Sequence, residues 1–510
     1  MSSPFNSPAS RREFLRRAGA LSAVGATGAP FALNLAALSA AAAENATDYK
    51  ALVCLFLYGG NDAYNMVLPT DADSWSRYVA ARNQQPDPLA LRAVGTPPEP
   101  GAPLGTLARL GGVLPIKPRN DEGRTFAVHP LMGALRDLFA SGRLAVLPNI
   151  GTLVQPLTKA QYASAAAKKP PKLFSHNDQT STWQTLQPEG GSVGWGGRMG
   201  DLLASANSHG AVTSSVFTSI SAAGNAGFLA GREVLQYQLS PSGAIRIGGN
   251  TLFGSSAAPD ILRDIVRHAR TDSLFEQDHA AVVGRSIDAQ LLIAAALPSA
   301  RATPFGTPGA GADPLLQYDN PLRGAKETND LAQQLQIVAR TIAARDPLGA
   351  KRQVFFVSLG GFDNHDFQMR NHTEMLARLA HGLRYFDAML TQMGVASQVT
   401  TFTASDYGRT FTSNGDGTDH GWGSHHLVMG GAVAGGDFYG AFPEFGSPVK
   451  GDFSSPDQIH NGAMLPRTSV EQLGATLGKW FGLSGTQLLD VFPNLANFDA
   501  GTHDLGFMKA

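Results

Sequence analysis

Apolar residues in this chain gather in short unbroken runs that end at glycine and aspartate. The first, Ala51-Leu52-Val53-Cys54-Leu55-Phe56-Leu57, has the length and continuity of a strand buried on both faces, and Tyr58-Gly59-Gly60-Asn61-Asp62 after it marks a sharp turn. Residues 70–125 are rich in Pro, Gly and charge and read as an irregular excursion. Beyond His129-Pro130, the residues Leu131, Leu135, Leu138 and Phe139 fall at helical spacing; Ser141-Gly142 ends that helix, and a strand from Leu144 to Ile150 follows. Ser175-His176-Asn177-Asp178-Gln179 opens a short helix carrying Trp183.

From about residue 200 to 346 the pattern loosens into Ser, Ala and Gly-rich stretches, with a helix around Ile261 to Ala269 and a Pro/Gly-rich loop from Pro298 to Pro314. This stretch reads as an insertion or cap. An amphipathic helix from Glu327 to Ala344 then leads into a strand, Gln353 to Leu359, which ends in Gly360-Gly361-Phe362-Asp363. A helix from about Met369 to Met393 hands over to a strand, Val399 to Thr403, followed by Ser405-Asp406-Tyr407-Gly408-Arg409, and Leu427 to Val433 reads as a further strand. Helix and strand alternating in both halves predict an α/β protein, a three-layer α/β/α sandwich with a mainly parallel, mixed central sheet. Residues 44–510 are expected to form one such domain, interrupted at about 200–346.

The first 43 residues are of another kind. Ser10-Arg11-Arg12-Glu13-Phe14-Leu15-Arg16 matches the twin-arginine export pattern, an Ala- and Gly-rich weakly apolar stretch follows from Ala18 to Leu38, and small residues accumulate up to Ala43. The expectation is export, periplasmic or secreted, with cleavage near Ala42 or Ala43 and no membrane span afterwards. The formal net charge of -1 leaves no basic surplus, so neither nucleic acid nor an anionic lipid surface is an expected partner. Cys54 is the single cysteine, cannot form an internal disulfide, and sits within the first apolar run, where it reads as core.

Three apolar strands end in an aspartate: Asp62, Asp363 and Asp406. Carboxylates gathered at one sheet edge repel one another unless a cation lies among them. His365 follows Asp363 closely, and the loop Asp416-Gly417-Thr418-Asp419-His420-Gly421-Trp422-Gly423-Ser424-His425-His426 adds Asp419, His420, His425 and His426. A mixed nitrogen and oxygen set suits a divalent metal such as Zn or Mn better than Ca. The plainer alternative is that these are turn residues and ordinary surface histidines. Ser175 is a candidate nucleophile at a helix start, although Ser there is commonly a cap, with Thr180 and Ser181 as alternatives. Arg409 is suited to pair with phosphate or sulfate, or to a structural bridge. Gly190-Gly191-Ser192-Val193-Gly194 fits G-x-S-x-G but lacks the preceding apolar strand of a nucleophile elbow and reads as a loop.

These residues, with Gly194-Trp195-Gly196-Gly197-Arg198 and Thr418-Asp419-His420-Gly421-Trp422-Gly423, resemble an exported bacterial family, the domain of unknown function 1501, over nearly the whole mature chain. That family is in turn distantly similar to the alkaline phosphatase and sulfatase superfamily. The resemblance implies an alkaline phosphatase-like fold with one or two metals at the strand ends, Asp62, Asp363, His365, Asp406 and His420 as ligands, and Ser175 as nucleophile. The chain departs from the superfamily pattern where Asp406-Tyr407 replaces an Asp-His pair and where a single residue separates Asp363 from His365. A single metal, or a degenerate site that only binds, therefore stands open beside a two-metal centre. The first reading is an exported metal-dependent hydrolase of small phosphate or sulfate esters; the second is a non-catalytic secreted binding or assembly protein working with an exported partner protein.

Overall fold

A computed structural model describes residues 48–207, 214–268 and 273–509; the twin-arginine segment lies outside them. The first apolar run becomes β1 (Lys50–Tyr58), whose side chains alternate between two apolar layers. Ala51, Val53, Leu55 and Leu57 join one cluster, while Leu52, Cys54 and Phe56 join the other. Both faces are therefore dry, which is why the run shows no polar alternation. Phe56 is 1% exposed, and truncating a side chain so placed costs about 3–5 kcal/mol.

Eight further strands complete the central sheet: β2 (Leu144–Gly151), β3 (Ser219–Ser221), β4 (Tyr237–Ser240), β5 (Gly243–Ala244), β6 (Arg352–Gly360), β7 (Val399–Ser405), β8 (Ser424–Gly430) and β9 (Thr468–Ser469). Their spatial order is β9-β2-β8-β7-β1-β6-β3-β4-β5. Seven strands run one way, while β8 and β5 run antiparallel to their neighbours. The chain is thus an α/β protein on a nine-stranded mixed sheet. Residues 219–221, 237–240 and 243–244, inside the stretch of loose pattern, supply three strands at one edge.

The principal helices are α1 (Ala72–Arg82), α2 (Gly133–Ala140), α3 (His176–Thr185), α4 (Trp195–Leu203), α5 (Leu274–Ala296), α6 (Asp330–Ala343), α7 (Gln368–Gln392) and α8 (Val470–Phe481). Buried residues of α2, α5, α6 and α7 pack with one face of the sheet, and those of α4 and α8, with Trp183 of α3, pack with the other. Two sequence expectations shift. The stretch after residue 70 contains α1 and, with residues 67–69, a small antiparallel sheet of Val67–Pro69, Leu114–Ile116 and Phe126–Val128. Helix α1 is capped by Asp71, which accepts from the Ser74 N–H at 3.0 Å, and its inward face carries Trp75, Tyr78, Val79 and Ala81 beside the ionic contact of Arg82, a short apolar stripe inside a stretch rich in Pro, Gly and charge. The strand expected at Leu427 to Val433 begins instead at Ser424, because Ser424, His425 and His426 are polar yet fully buried.

Register sets the site. Tyr58 lies beside Gly360, and Leu57 beside Ser405, so the turns that carry Asp62, Asp363 and Asp406 leave the sheet at one carboxyl edge.

Candidate metal centre

Glycine permits the approach of these turns. At Gly59 φ is +115°, and a Cβ there would lie 2.3 Å from the backbone nitrogen of Asp363. The absence of a side chain lets the loop after β6 close over the end of β1, where the Phe362 N–H donates to the Tyr58 carbonyl at 3.1 Å. The loop between β7 and β8 is fastened to the same place: Thr418 N–H donates to Asn364, Gln368 N–H donates to the Asp416 carbonyl, and Phe367 N–H donates to the Asp416 carboxylate.

Three donors converge there. His365 Nε2 and His420 Nε2 are 2.9 Å apart, and Asp363 Oδ1 is 3.1 Å from the first and 3.4 Å from the second. Ligands held at about 2.0–2.1 Å from a tetrahedral zinc stand roughly 3.3 Å from one another, so this triangle has the dimensions of a metal's ligand shell. The outer ring atoms agree. His420 Nδ1 lies 2.8 Å from the Phe174 carbonyl, which can only accept, so Nδ1 carries the proton and Nε2 offers a lone pair to the triangle. His365 Nδ1 lies 3.6 Å from Asp419 Oδ1, within ion-pair reach. Two imidazole nitrogens and a carboxylate oxygen meet here, a donor set whose chemistry fits a divalent ion; a neutral His365 ring donating from Nε2 to His420 Nε2 satisfies the same distances without one.

His176, the first residue of α3, adjoins this group. Its Nδ1 donates to Asp406 Oδ2 at 2.7 Å, while Nε2 lies 2.6 Å from the Tyr407 hydroxyl and 3.2 Å from Asp363 Oδ2. One ligand atom each from His176, Asp363 and His420 lies within 4.8 Å of the others. The hydrogen bond to Asp406 raises the His176 pKa, with burial opposing it and both carboxylates assisting. Burial works against ionisation of Asp363, but the hydrogen bond and charge of Arg409, with His176 and His365 nearby, outweigh it and hold the carboxyl low. Burial depresses His420, opposed by its bond to Phe174, which keeps the ring neutral and able to ligate.

The other sequence candidates are placed as follows. Asp406 is buried, accepts from the Gly59 N–H as well as from His176, and among the described residues its Oδ1 has no partner. Asp62 is buried in a bidentate ion pair with Arg82 and accepts from Gln368 Nε2 at 2.6 Å. It reaches the triangle only through a relay: Thr418 donates to Gln368, Arg409 Nε donates to Thr418, and another Arg409 nitrogen donates to Asp363 Oδ1 at 2.7 Å. The Arg409 side chain is fully buried, bridging Asp363, Thr418 and the Gly59 carbonyl. Ser175 Oγ donates to Asp178 at 2.8 Å. His425 and His426 lie on β8, where burial drives both down to about 3; His425 Nδ1 accepts from the Asn149 N–H, and His426 Nδ1 lies against Thr403.

The structure therefore brings together Asp363, His365, His420, Asp419 and Asp406, and adds His176 and Tyr407, which the sequence reading did not single out. The adjacency of His176 to Ser175 hinted at the first, and the second stands in the Asp406-Tyr407 pair that departs from the superfamily pattern. Beside His176 and Asp406 an open cleft of about 580 Å³ runs along α3. No helix among the described residues is long and apolar enough to cross a membrane.

No curated protein matches the chain. Among solved structures, one described as Ps i-CgsB shares 8% identity over 89% of this chain and 77% of its own, with a TM-score of 0.32. A Bacteroides thetaiotaomicron structure, described with the metabolism of multiple glycosaminoglycans, shares 8% identity over 86% of this chain and 74% of its own, with a TM-score of 0.33. Residues 317–492, which include Asp363, His365, Asp406 and His420 but not Asp62 or His176, are similar to the family described as Protein of unknown function (DUF1501).

Proposed function

We propose that this chain is an exported, metal-dependent hydrolase of phosphate or sulfate esters on an alkaline phosphatase-like fold. The observation that carries the reading is the convergence of His365 Nε2, His420 Nε2 and Asp363 Oδ1 within 3.4 Å of one another. A divalent ion held there would polarise an ester oxygen and lower the pKa of a water molecule.

The chain's own groups do the rest. Phe174 fixes the His420 ring, Asp419 lies 3.6 Å from the outer nitrogen of His365, and Arg409 neutralises part of the charge on Asp363. His176, steadied by Asp406, holds a proton beside Asp363 at the mouth of the cleft. In hydrolysis the water oxygen bonds to phosphorus or sulfur and releases a proton to solvent, the bond to the alcohol oxygen breaks, and that oxygen takes a proton from His176 Nε2, the donor in reach, which solvent then restores. Ser175, whose hydroxyl donates to Asp178 at 2.8 Å and keeps its oxygen lone pairs, stands as the alternative nucleophile to water.

One observation favours the second reading, a secreted binding or assembly protein with an exported partner. The Arg409 guanidinium lies 2.7 Å from Asp363 Oδ1, taking a lone pair that a second cation would need. The deciding experiment is elemental mass spectrometry on periplasmic protein and its Asp363→Ala and His420→Ala variants. About one divalent metal per chain, lost in both variants, is expected. A folded parent that holds none, even after incubation with Zn or Mn, overturns the hydrolase.

A further inference from the structure

The cleft beside His176 has a chemistry of its own. Asn177, Thr180, Ser181 and Gln184 line it at i, i+3, i+4 and i+7 of α3, which makes one ridge of the helix wholly polar and uncharged. Among the described residues the Asn177 amide and the Thr180 hydroxyl have no hydrogen-bond partner. Tyr58 forms part of the wall, its ring packed on Phe56 with centroids 4.5 Å apart and its hydroxyl accepting from Gln184 Nε2 at 3.3 Å. No lysine or arginine lines the cleft, and its carboxylates are Glu189 and Asp406.

We infer that this cleft receives the alcohol part of the substrate as an uncharged polyhydroxy group, a sugar ring; the inference rests on the ester-hydrolase reading for its place in the reaction. His176 joins the two regions, since it lines the cleft and lies 3.2 Å from Asp363. An ester whose charged head meets Asp363, His365 and His420 therefore extends its alcohol along α3. Sugar hydroxyls both donate and accept, as the free amide and hydroxyl groups of the ridge require, while a flat aromatic side chain packs against a ring's C–H face. Away from His176, a second anionic group would meet Glu189 with no lysine or arginine lining the cleft to offset it, which disfavours nucleotides. Ser181 and Gln184 are held by Pro188, Tyr58 and Phe228, so a purely apolar alcohol would leave Asn177 and Thr180 without a partner, and sites built to hydrogen-bond a hydroxyl reject analogues lacking it.

Saturation-transfer NMR on the full chain, with glucose, galactose and N-acetylglucosamine beside AMP and phenol, tests the cleft without turnover. Transfer to a neutral sugar that is lost in Asn177→Ala and Thr180→Val is the expected result. Transfer confined to AMP or phenol, or sugar contact indifferent to both substitutions, overturns the inference. In turnover by the metal-loaded protein, the two substitutions should lower kcat/KM for a sugar phosphate or sulfate about tenfold more than for the 4-nitrophenyl ester. Equal effects on both esters also overturn it. If neither ester is turned over, the hydrolase reading falls and the NMR result alone decides the sugar site.

Discussion

Asp406 accepts a hydrogen bond from His176 Nδ1 at 2.7 Å through one carboxylate oxygen, while its other oxygen is buried and unpartnered among the described residues. The pair joins residues 230 positions apart, and it orients a ring that borders both the Asp363–His365–His420 triangle and the cleft. Asp406→Asn keeps the volume and removes the charge. The His176 pKa, raised chiefly by that carboxylate, should then move down toward the ordinary range, as followed by NMR titration of the ring. Ester turnover should fall on the order of ten- to hundred-fold. An unmoved titration would mean that Asp406 does not govern His176.

Asp62 and Arg82 form a pair of another kind, both side chains at or below 2% exposure. Asp62→Asn leaves the guanidinium uncompensated in the core and should cost about 3–5 kcal/mol in urea unfolding. Replacing Arg82 as well, by Met, should recover part of the loss. Metal content should persist in folded Asp62→Asn protein, because Asp62 touches the triangle only through Gln368, Thr418 and Arg409. A variant of parental stability that had lost its metal would contradict both statements.

Glu471, at the start of α8, gives stability a pH dependence. Burial raises its carboxyl from 4.5 to about 7, against hydrogen bonds from Asn494, and among the described residues its Oε2 has no partner. Between those two values the unfolded chain has released this proton and the folded chain retains it. The unfolded state then binds fewer protons, so stability falls as pH rises through the window, by about 3 kcal/mol in total, and levels off above it. Glu471→Gln should narrow the gap between melting temperatures at pH 5 and pH 8 and raise the latter. If the variant keeps the parental gap, another group is responsible.

Several elements were legible before any coordinates. The run 51–57 became β1, Leu144 to Ile150 became β2, Gln353 to Leu359 became β6, and the helix after Asp363 became α7, because continuous apolar runs and helical spacing report burial directly. The aspartates after β1, β6 and β7, and His365 and His420, were also visible as chemistry without assigned partners. Less legible were α1, whose inward face mixes Tyr78 and Ala81 with the buried ion pair of Arg82, and β8, whose first residues are polar and buried.

The sequence by itself determined the core strands β1, β2, β6 and β7 with the helices α2, α6 and α7, and that acidic turns follow β1, β6 and β7, since periodicity and turn chemistry are local properties. Only the tertiary structure decided what each polar group faces. Placing β1 between β6 and β7 brings turns more than 300 residues apart to one edge, and the bare Cα of Gly59 lets Asp363 settle over it. That packing drew Asp62 into a pair with Arg82, sent His425 and His426 into the core, and brought His176 to the triangle. Partner choice is a property of strand order and close approach between distant segments, and neither is written in any local stretch of the chain.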